Sequence, residues 1–326
     1  VFTLANQFIR TENGDLQRCA SGLMVCLGDG LAPSEWHYLR QQWRVGYSFA
    51  PVRAGDLTWL WGDTTVDTLL TDYPRHGTWP GFLQVARLVQ IYGLQINAIC
   101  RVENLGQAQG PLLVPNADLL PAAMRRELES YDGGPVVLLG RLTDITCTVP
   151  ASVVICRMTA AYAMACVVLH AGLPPSVQEV DPPVGPTFTD SRPPCFFCDA
   201  PEVMPIPAAF WEQASAVIVA SVDAWRAANH VPGCQALNRE AGLSVMSLED
   251  SAGRLRTALV SSQATYLIPE FRFSAHPVAV TKISGFPYTP LALAGDSVRS
   301  GHNQSPLHLP PHGIVVMDVE FDDDET

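Results

Sequence analysis

GPLLVPNADLLPAAMRRELESYDGGPVVLLGR, residues 110–141, decides the fold. Pro111-Leu-Leu-Val-Pro115 and Pro135-Val-Val-Leu-Leu-Gly140 are short apolar runs bounded by Pro or Gly, the pattern of parallel strands covered on both faces. Between them Leu119, Leu120, Met124, Leu128 and Tyr131 recur at helical spacing, with Arg125, Arg126, Glu127 and Glu129 on the other face. Asp118 is placed to cap that helix and Gly133-Gly134 to end it. The stretch predicts strand, helix, strand, and carries no catalytic pattern.

Two similar units precede it. Leu57-Thr-Trp-Leu-Trp61 predicts a strand, followed by a helical segment from Thr64 to about Tyr73. Residues 79–92 predict a helix stopped by Gly93, and residues 95–100 the next strand. Alternation at this spacing predicts an α/β fold with an open, doubly wound parallel sheet of the flavodoxin-like kind.

The order of Leu57-Thr-Trp-Leu-Trp-Gly-Asp63, the 79–92 helix, Leu112-Leu-Val-Pro-Asn116 and Gly133-Gly-Pro-Val-Val-Leu-Leu-Gly-Arg141 resembles the class I glutamine-amidotransferase-like domain. That domain stands behind the catalytic barrel of several glycoside hydrolases, including the trimerisation domain of the family 42 β-galactosidases. The resemblance covers roughly residues 50 to 175. A working amidotransferase carries its nucleophilic cysteine on an elbow directly after the strand that here is Pro135 to Gly140. This chain continues Gly140-Arg141-Leu142, so the nucleophile is missing. Val25-Cys26-Leu27-Gly28 imitates an elbow but precedes the first strand-helix unit. His276-Pro277 is followed by Val278 where the amidotransferase base requires a glutamate.

The 326 residues, 48% of them apolar, suffice for two domains with large cores. A formal net charge of −12 argues against nucleic acid, which requires clustered cations. Arginine supplies nearly all the positive charge; Lys282 is the only lysine. No secretory signal or membrane anchor is evident. The most apolar window, residues 151–171, contains Arg157 and His170 and suits a buried element better than a membrane span. Nine scattered cysteines favour reduced thiols and a cytoplasmic setting. The chain begins with Val1 in apparent mid-structure, so the natural start is expected further upstream.

Phe2 to Ile9 and Gly22 to Leu27 predict strands, and Pro33-Ser34-Glu35 opens a helix reaching about Val45. A strand ending in Gly28-Asp29-Gly30 before a helix suits the last unit of a (β/α) barrel, whose active site lies at the strands' carboxyl ends. The alternative for Asp29 is an ordinary turn residue. Residues 173–207, rich in proline, predict a linker or arm, followed by a helix from Ala208 to Ala228 whose aromatics read as core. Leu243 to Leu248 and Leu255 to Val260 alternate around Asp250-Ser-Ala-Gly253, a hairpin signal. Further strands are expected at 264–268, 271–273, 278–283 and 314–321, making a small antiparallel β-sandwich. The domains expected are a barrel remnant at 1–50, the amidotransferase-like domain at 51–175, the arm and helix at 176–240, and the β-sandwich at 241–326. The close of the chain resembles the last strand of the β-domain that ends many barrel glycosidases, and the 322–326 tail reads as solvated and as a true C-terminus.

Three groups of candidate site residues emerge. Cys195-Phe-Phe-Cys198 with His230 and Cys234 has the pair spacing of a tetrahedral zinc site, with a redox pair and buried free thiols as the alternatives. Asp63 and Asn116 lie where ligands bind at the carboxyl edge of an open sheet, with structural capping as the alternative for each, and Asp29 is the ligand-binding candidate at the strand end of the barrel remnant. Asp29, Asp63, Glu103 and Asp118 all fall near strand ends, yet none forms a recognisable glycosidase pair. The resemblance implies a non-catalytic C-terminal portion of a carbohydrate-active enzyme. Its partners would be an N-terminal catalytic barrel of the same protein, further copies in a homo-oligomer and the parent's carbohydrate substrate. No cofactor is implied beyond the zinc alternative. A stand-alone assembly module and a small-molecule-binding α/β domain are the competing readings.

Overall fold

In the computed structural model, the residues described are 2–21, 30, 32–63, 66–68, 70–71, 81–141, 149–157, 163–182, 206–237, 242–261, 263–284, 291–294, 297–300 and 309–321. The fold is α/β: a nine-stranded mixed sheet with helices, and separate small antiparallel sheets. The strand order is Ser176–Val180, Ala151–Arg157, Ala163–Leu169, Val136–Arg141, Leu112–Pro115, Leu57–Trp61, Ile96–Arg101, Phe8–Arg10 and Leu16–Arg18. The chain divides into two compact units. One comprises residues 1–57, 93–99 and 226–326, and the other residues 58–92 and 100–225.

The deciding stretch behaves largely as its pattern requires. Leu112–Pro115 pairs in parallel with Val136–Arg141, in the register Leu112↔Val136 to Pro115↔Leu139. Leu57–Trp61 pairs in parallel with Leu112–Pro115 from the other side. Successive residues Leu112, Leu113 and Val114, and Val136 through Leu139, are all buried. Neighbours in a strand point to opposite sides, so both faces of this sheet are covered. Leu128, with Leu60, Leu112, Val114, Val136, Leu138 and Val167, forms the core on one face.

The helix between these strands is shorter than its pattern, running Ala122–Glu129 behind a 3-10 turn at Ala117–Leu119. Pro121 occupies its N-cap, and no side chain caps it. Asp118 therefore does not cap the helix. The ring of Pro121 fixes φ and biases Leu120 to extended backbone, which delays the helix by one turn beyond Asp118.

Beyond Val136–Arg141 the sheet stops being parallel. Ala163–Leu169 runs antiparallel to it, Ala151–Arg157 antiparallel to that, and Ser176–Val180 closes the edge in parallel with Ala151–Arg157. Every residue of Ala163–Leu169 is buried. The described part of the 151–171 window thus holds the partly buried strand Ala151–Arg157 and the fully buried strand Ala163–Leu169, while Ser176–Val180, expected within an arm, is an edge strand. The helix Ala208–Ala228 has its expected bounds, with Phe210, Trp211, Ala214, Ile218 and Val222 buried as core.

In the other unit Pro277–Ser284, Ile314–Phe321, Leu255–Ser261, Leu243–Glu249 and Arg53–Ala54 form a five-stranded antiparallel sheet. Cys234–Ala236 and Phe271–Phe273 form a two-stranded ribbon. Leu243, Val245, Leu255, Leu259, Val315, Met317 and Val319 share one core with Cys234, Phe271 and Phe273. These are alternate positions on each strand, as a sheet with an inward face demands. The intervening residues Met246, Ala258 and Val316 pack with Phe2 and Val45. The hairpin turn is as read: Asp250 Oδ1 accepts from the amides of Ala252 and Arg254, and Gly253 supplies φ +74°.

Two strand readings change. Residues 2–9 are a one-turn helix, Phe2–Ala5, followed by the strand Phe8–Arg10. The strand expected at 264–268 reduces to one bridge between Leu267 and Leu309. The strand expected at Gly22 to Leu27 and the 322–326 tail lie outside the described residues.

Candidate functional site

Parallel strands end together, so the carboxyl edge of Leu57–Trp61, Leu112–Pro115 and Val136–Arg141 gathers the residues that follow each of them. After Pro115 the chain turns at Asn116, which is buried and left-handed, with φ 52° and ψ 42°. Asparagine tolerates this conformation better than most residues. The turn sends Asp118 inward, and its side chain is fully buried.

Arg141, the last residue of Val136–Arg141, meets it. Arg141 Nε donates to Asp118 Oδ2 at 2.7 Å, and the arginine side chain is 22% exposed. Burial pushes the Asp118 carboxyl above its ordinary value, while the adjacent guanidinium pulls the other way. Gly140 is required here by space: a Cβ at that position would collide with Asp118 Oδ1. The residue directly after this buried strand is thus a guanidinium, protonated and tied to a buried carboxylate.

Asp63 stands at the same edge but in solvent. Trp61 Nε1 donates to its Oδ1 at 3.2 Å, and Arg101 lies 3.9 Å from Oδ2. With both side chains more than half exposed, that ion pair is loose. Glu103 is exposed in the 3-10 turn Val102–Gln107. Asp29 lies outside the described residues.

The zinc candidates are placed in part. Cys234 is fully buried in the core of the antiparallel unit, and burial raises its thiol well above the ordinary value. His230 is exposed, with φ +53°. Cys195 and Cys198 lie outside the described residues. Among the described residues no group of three or more His, Cys, Asp or Glu is arranged to hold a metal.

Sequence reasoning missed the Asp118–Arg141 pair. The signal was a lone carboxylate in the apolar run Ala117-Asp118-Leu119-Leu120 and an arginine directly after a buried strand. Neither is informative until the register Pro115↔Leu139 brings the two strand ends side by side.

No protein-family model and no curated protein matches this chain. Among solved structures it is similar to the apo exo-carrageenase GH42 from Bacteroides ovatus, with a TM-score of 0.34 and 9% identity. The match covers 74% of this chain and 26% of that one, so the chain spans about a quarter of that protein's length. A likeness this loose bears on neither fold nor chemistry. No helix among the described residues is long and apolar enough to cross a membrane.

Proposed function

We propose that this chain is a non-catalytic C-terminal portion of a carbohydrate-active enzyme resembling the barrel glycoside hydrolases, bracing the barrel or supporting oligomerisation. The observation that carries the non-catalytic part is Arg141. It follows the strand where an amidotransferase-like domain would place its nucleophile, and it is engaged with buried Asp118. The carbohydrate part rests on the resemblance of Leu57 to Asp63, Leu112 to Asn116 and Gly133 to Arg141 described above. Under this reading catalytic acids belong to a barrel elsewhere in the natural protein, and Asp63 and Asn116 serve the carboxyl edge as structural residues.

The test compares the complete natural protein with the 326-residue chain on a panel of aryl glycosides. Hydrolysis by the complete protein and none by the chain is the expected result. Hydrolysis by the chain alone overturns the non-catalytic assignment, and inactivity of both overturns the glycosidase assignment.

A further inference from the structure

Leu243–Glu249 and Leu255–Ser261 are joined by the turn at Asp250–Gly253, and beside that turn a cleft of about 440 Å³ opens in the antiparallel unit. Glu249, Arg254, Glu320, Phe321, His230 and Pro232 line it. The pairing Leu255↔Val319, carried on by one residue, sets Arg254 beside Glu320. The volume lies in the range of small-molecule sites.

Charge decides what such a cleft accepts. Arg53 Nη1 lies 3.0 Å from Glu249 Oε2, and Arg226, which also acts on Glu249, lies 2.5 Å from Asp56 Oδ1. Arg254 donates through Nε and Nη2 to Asp250 Oδ2 at 2.9 and 2.6 Å. Arg256 donates through Nε and Nη2 to the Asp318 carboxylate at 2.7 and 2.8 Å. Arg10, which acts on Arg53, donates to the carbonyls of Gly14 and Val52 and does not line the cleft. Each guanidinium facing the cleft or its carboxylates thus has a carboxylate of its own. Among the described residues Glu320, exposed at the rim, is the carboxylate left over. Its charge reaches Arg254, whose guanidinium is held above its ordinary value by the hydrogen bonds to Asp250 and then by the charges of Asp250, Asp318 and Glu320. The rim therefore carries one negative charge in excess.

An anion is repelled there. A neutral hydroxyl compound gains less than a cation, because an ammonium makes a charge-assisted hydrogen bond to a carboxylate. A bare metal ion is not the match, since among the described residues no group of three or more His, Cys, Asp or Glu is arranged to hold one. Phe321 and Pro232 add an apolar wall, and the Phe321 ring packs edge-on to Phe273 with 6.1 Å between centroids. Glu320 and Phe321 are neighbours in one strand and point to opposite sides, so a ligand touching both lies across the end of the sheet. We propose that this cleft binds a small organic cation, an amine on a short hydrocarbon chain, with its ammonium on Glu320 and its chain against Phe321 and Pro232.

The experiment is ligand-observed saturation-transfer NMR on the whole 326-residue chain with n-butylamine, n-butanol and butyrate, which share one hydrocarbon body and differ in charge. Each is used at about 10 mM, in about 0.15 M salt to screen long-range attraction, and at about pH 8, where an ordinary imidazole is neutral. Ala252 and Glu320 are both exposed, so Ala252→Trp and Glu320→Gln alter the cleft without entering the core; circular dichroism confirms that each is folded. Transfer to butylamine is expected, at least about threefold above that to butanol and with none to butyrate. It is lost in Ala252→Trp and falls to the butanol level in Glu320→Gln. Equal transfer to butanol or butyrate overturns the cationic class. Undiminished transfer to butylamine in either folded variant overturns the cleft as the site and assigns the signal to diffuse attraction by an acidic chain. No transfer to any of the three overturns the cleft as a binding site. Should Ala252→Trp fail to fold, Glu320→Gln alone decides.

Discussion

Asp118 and Arg141 show how one side chain changes role once its surroundings are known. In the sequence Asp118 is a helix-capping residue; in the fold it is a buried carboxylate held at 2.7 Å by Arg141. Arg141→Ala leaves that carboxylate buried without its cation, at a cost of about 3 kcal/mol, the lower end for a broken buried pair because Arg141 is partly exposed. Urea denaturation measures it. Burial holds the Asp118 carboxyl above its unfolded value, so the native chain binds this proton more tightly than the unfolded chain does. The resulting contribution is full below the ordinary value of 3.8 and is lost as pH rises through the folded value. In Asp118→Asn the stability curve is accordingly flatter across that window than in the parent chain. The thiols give a second residue-scale outcome. Burial pushes Cys156 up to about 11, Cys166 to about 12 and Cys234 well above its ordinary value; the Cys19 thiol is raised as well, yet it alone of these four is exposed to reagent. Since the thiolate is the reactive form, native labelling with iodoacetamide followed by mass mapping is expected to modify Cys19 and spare Cys156, Cys166 and Cys234.

Among the elements, those with a clear period and a clear stop were legible. Leu57–Trp61, Ala208–Ala228, Phe271–Phe273 and Ile314–Phe321 have the bounds their patterns predict. The hairpin at Asp250–Gly253 was equally plain, because Asp and Gly perform local chemistry that requires no distant partner. Ser176–Val180 was not, since its three central residues are exposed and only pairing with Ala151–Arg157 makes it a strand. Proline nearby suggested an arm, and backbone hydrogen bonding overrode it. Gly110 and Gly134 show the same dependence on context: both lie against the Trp225 ring, and Gly110 has φ +76°. A Cβ at Gly110 would stand 3.2 Å from that ring. Gly110→Ala is therefore expected to cost about 1–2 kcal/mol, the price of a left-handed L-residue, read as a lowered urea midpoint.

At the scale of the whole molecule, the antiparallel unit is assembled from residues 1–57, 93–99 and 226–326. Phe2 and Val45 pack with Met246, Ala258 and Val316, and Arg256 donates to the Val45 carbonyl at 3.0 Å and to Ser48 Oγ at 2.8 Å. A chain ending at Trp225 would leave that N-terminal stretch without the strands it covers. Expression of residues 1–225 is expected to yield aggregated protein, with the 326-residue chain folded under the same conditions, as judged by gel filtration and near-ultraviolet circular dichroism. By itself the sequence determined the α/β class, the strand-helix-strand unit at 110–141 and the antiparallel strands after 241, because each depends on local periodicity or turn chemistry. Only the tertiary structure decided that Ala163–Leu169 runs antiparallel beside Val136–Arg141, that Asp118 meets Arg141, and that residues 1–57 join the unit at the far end of the chain. Those are contacts between stretches distant in sequence, set by which apolar faces cover one another, and no local pattern records the partner.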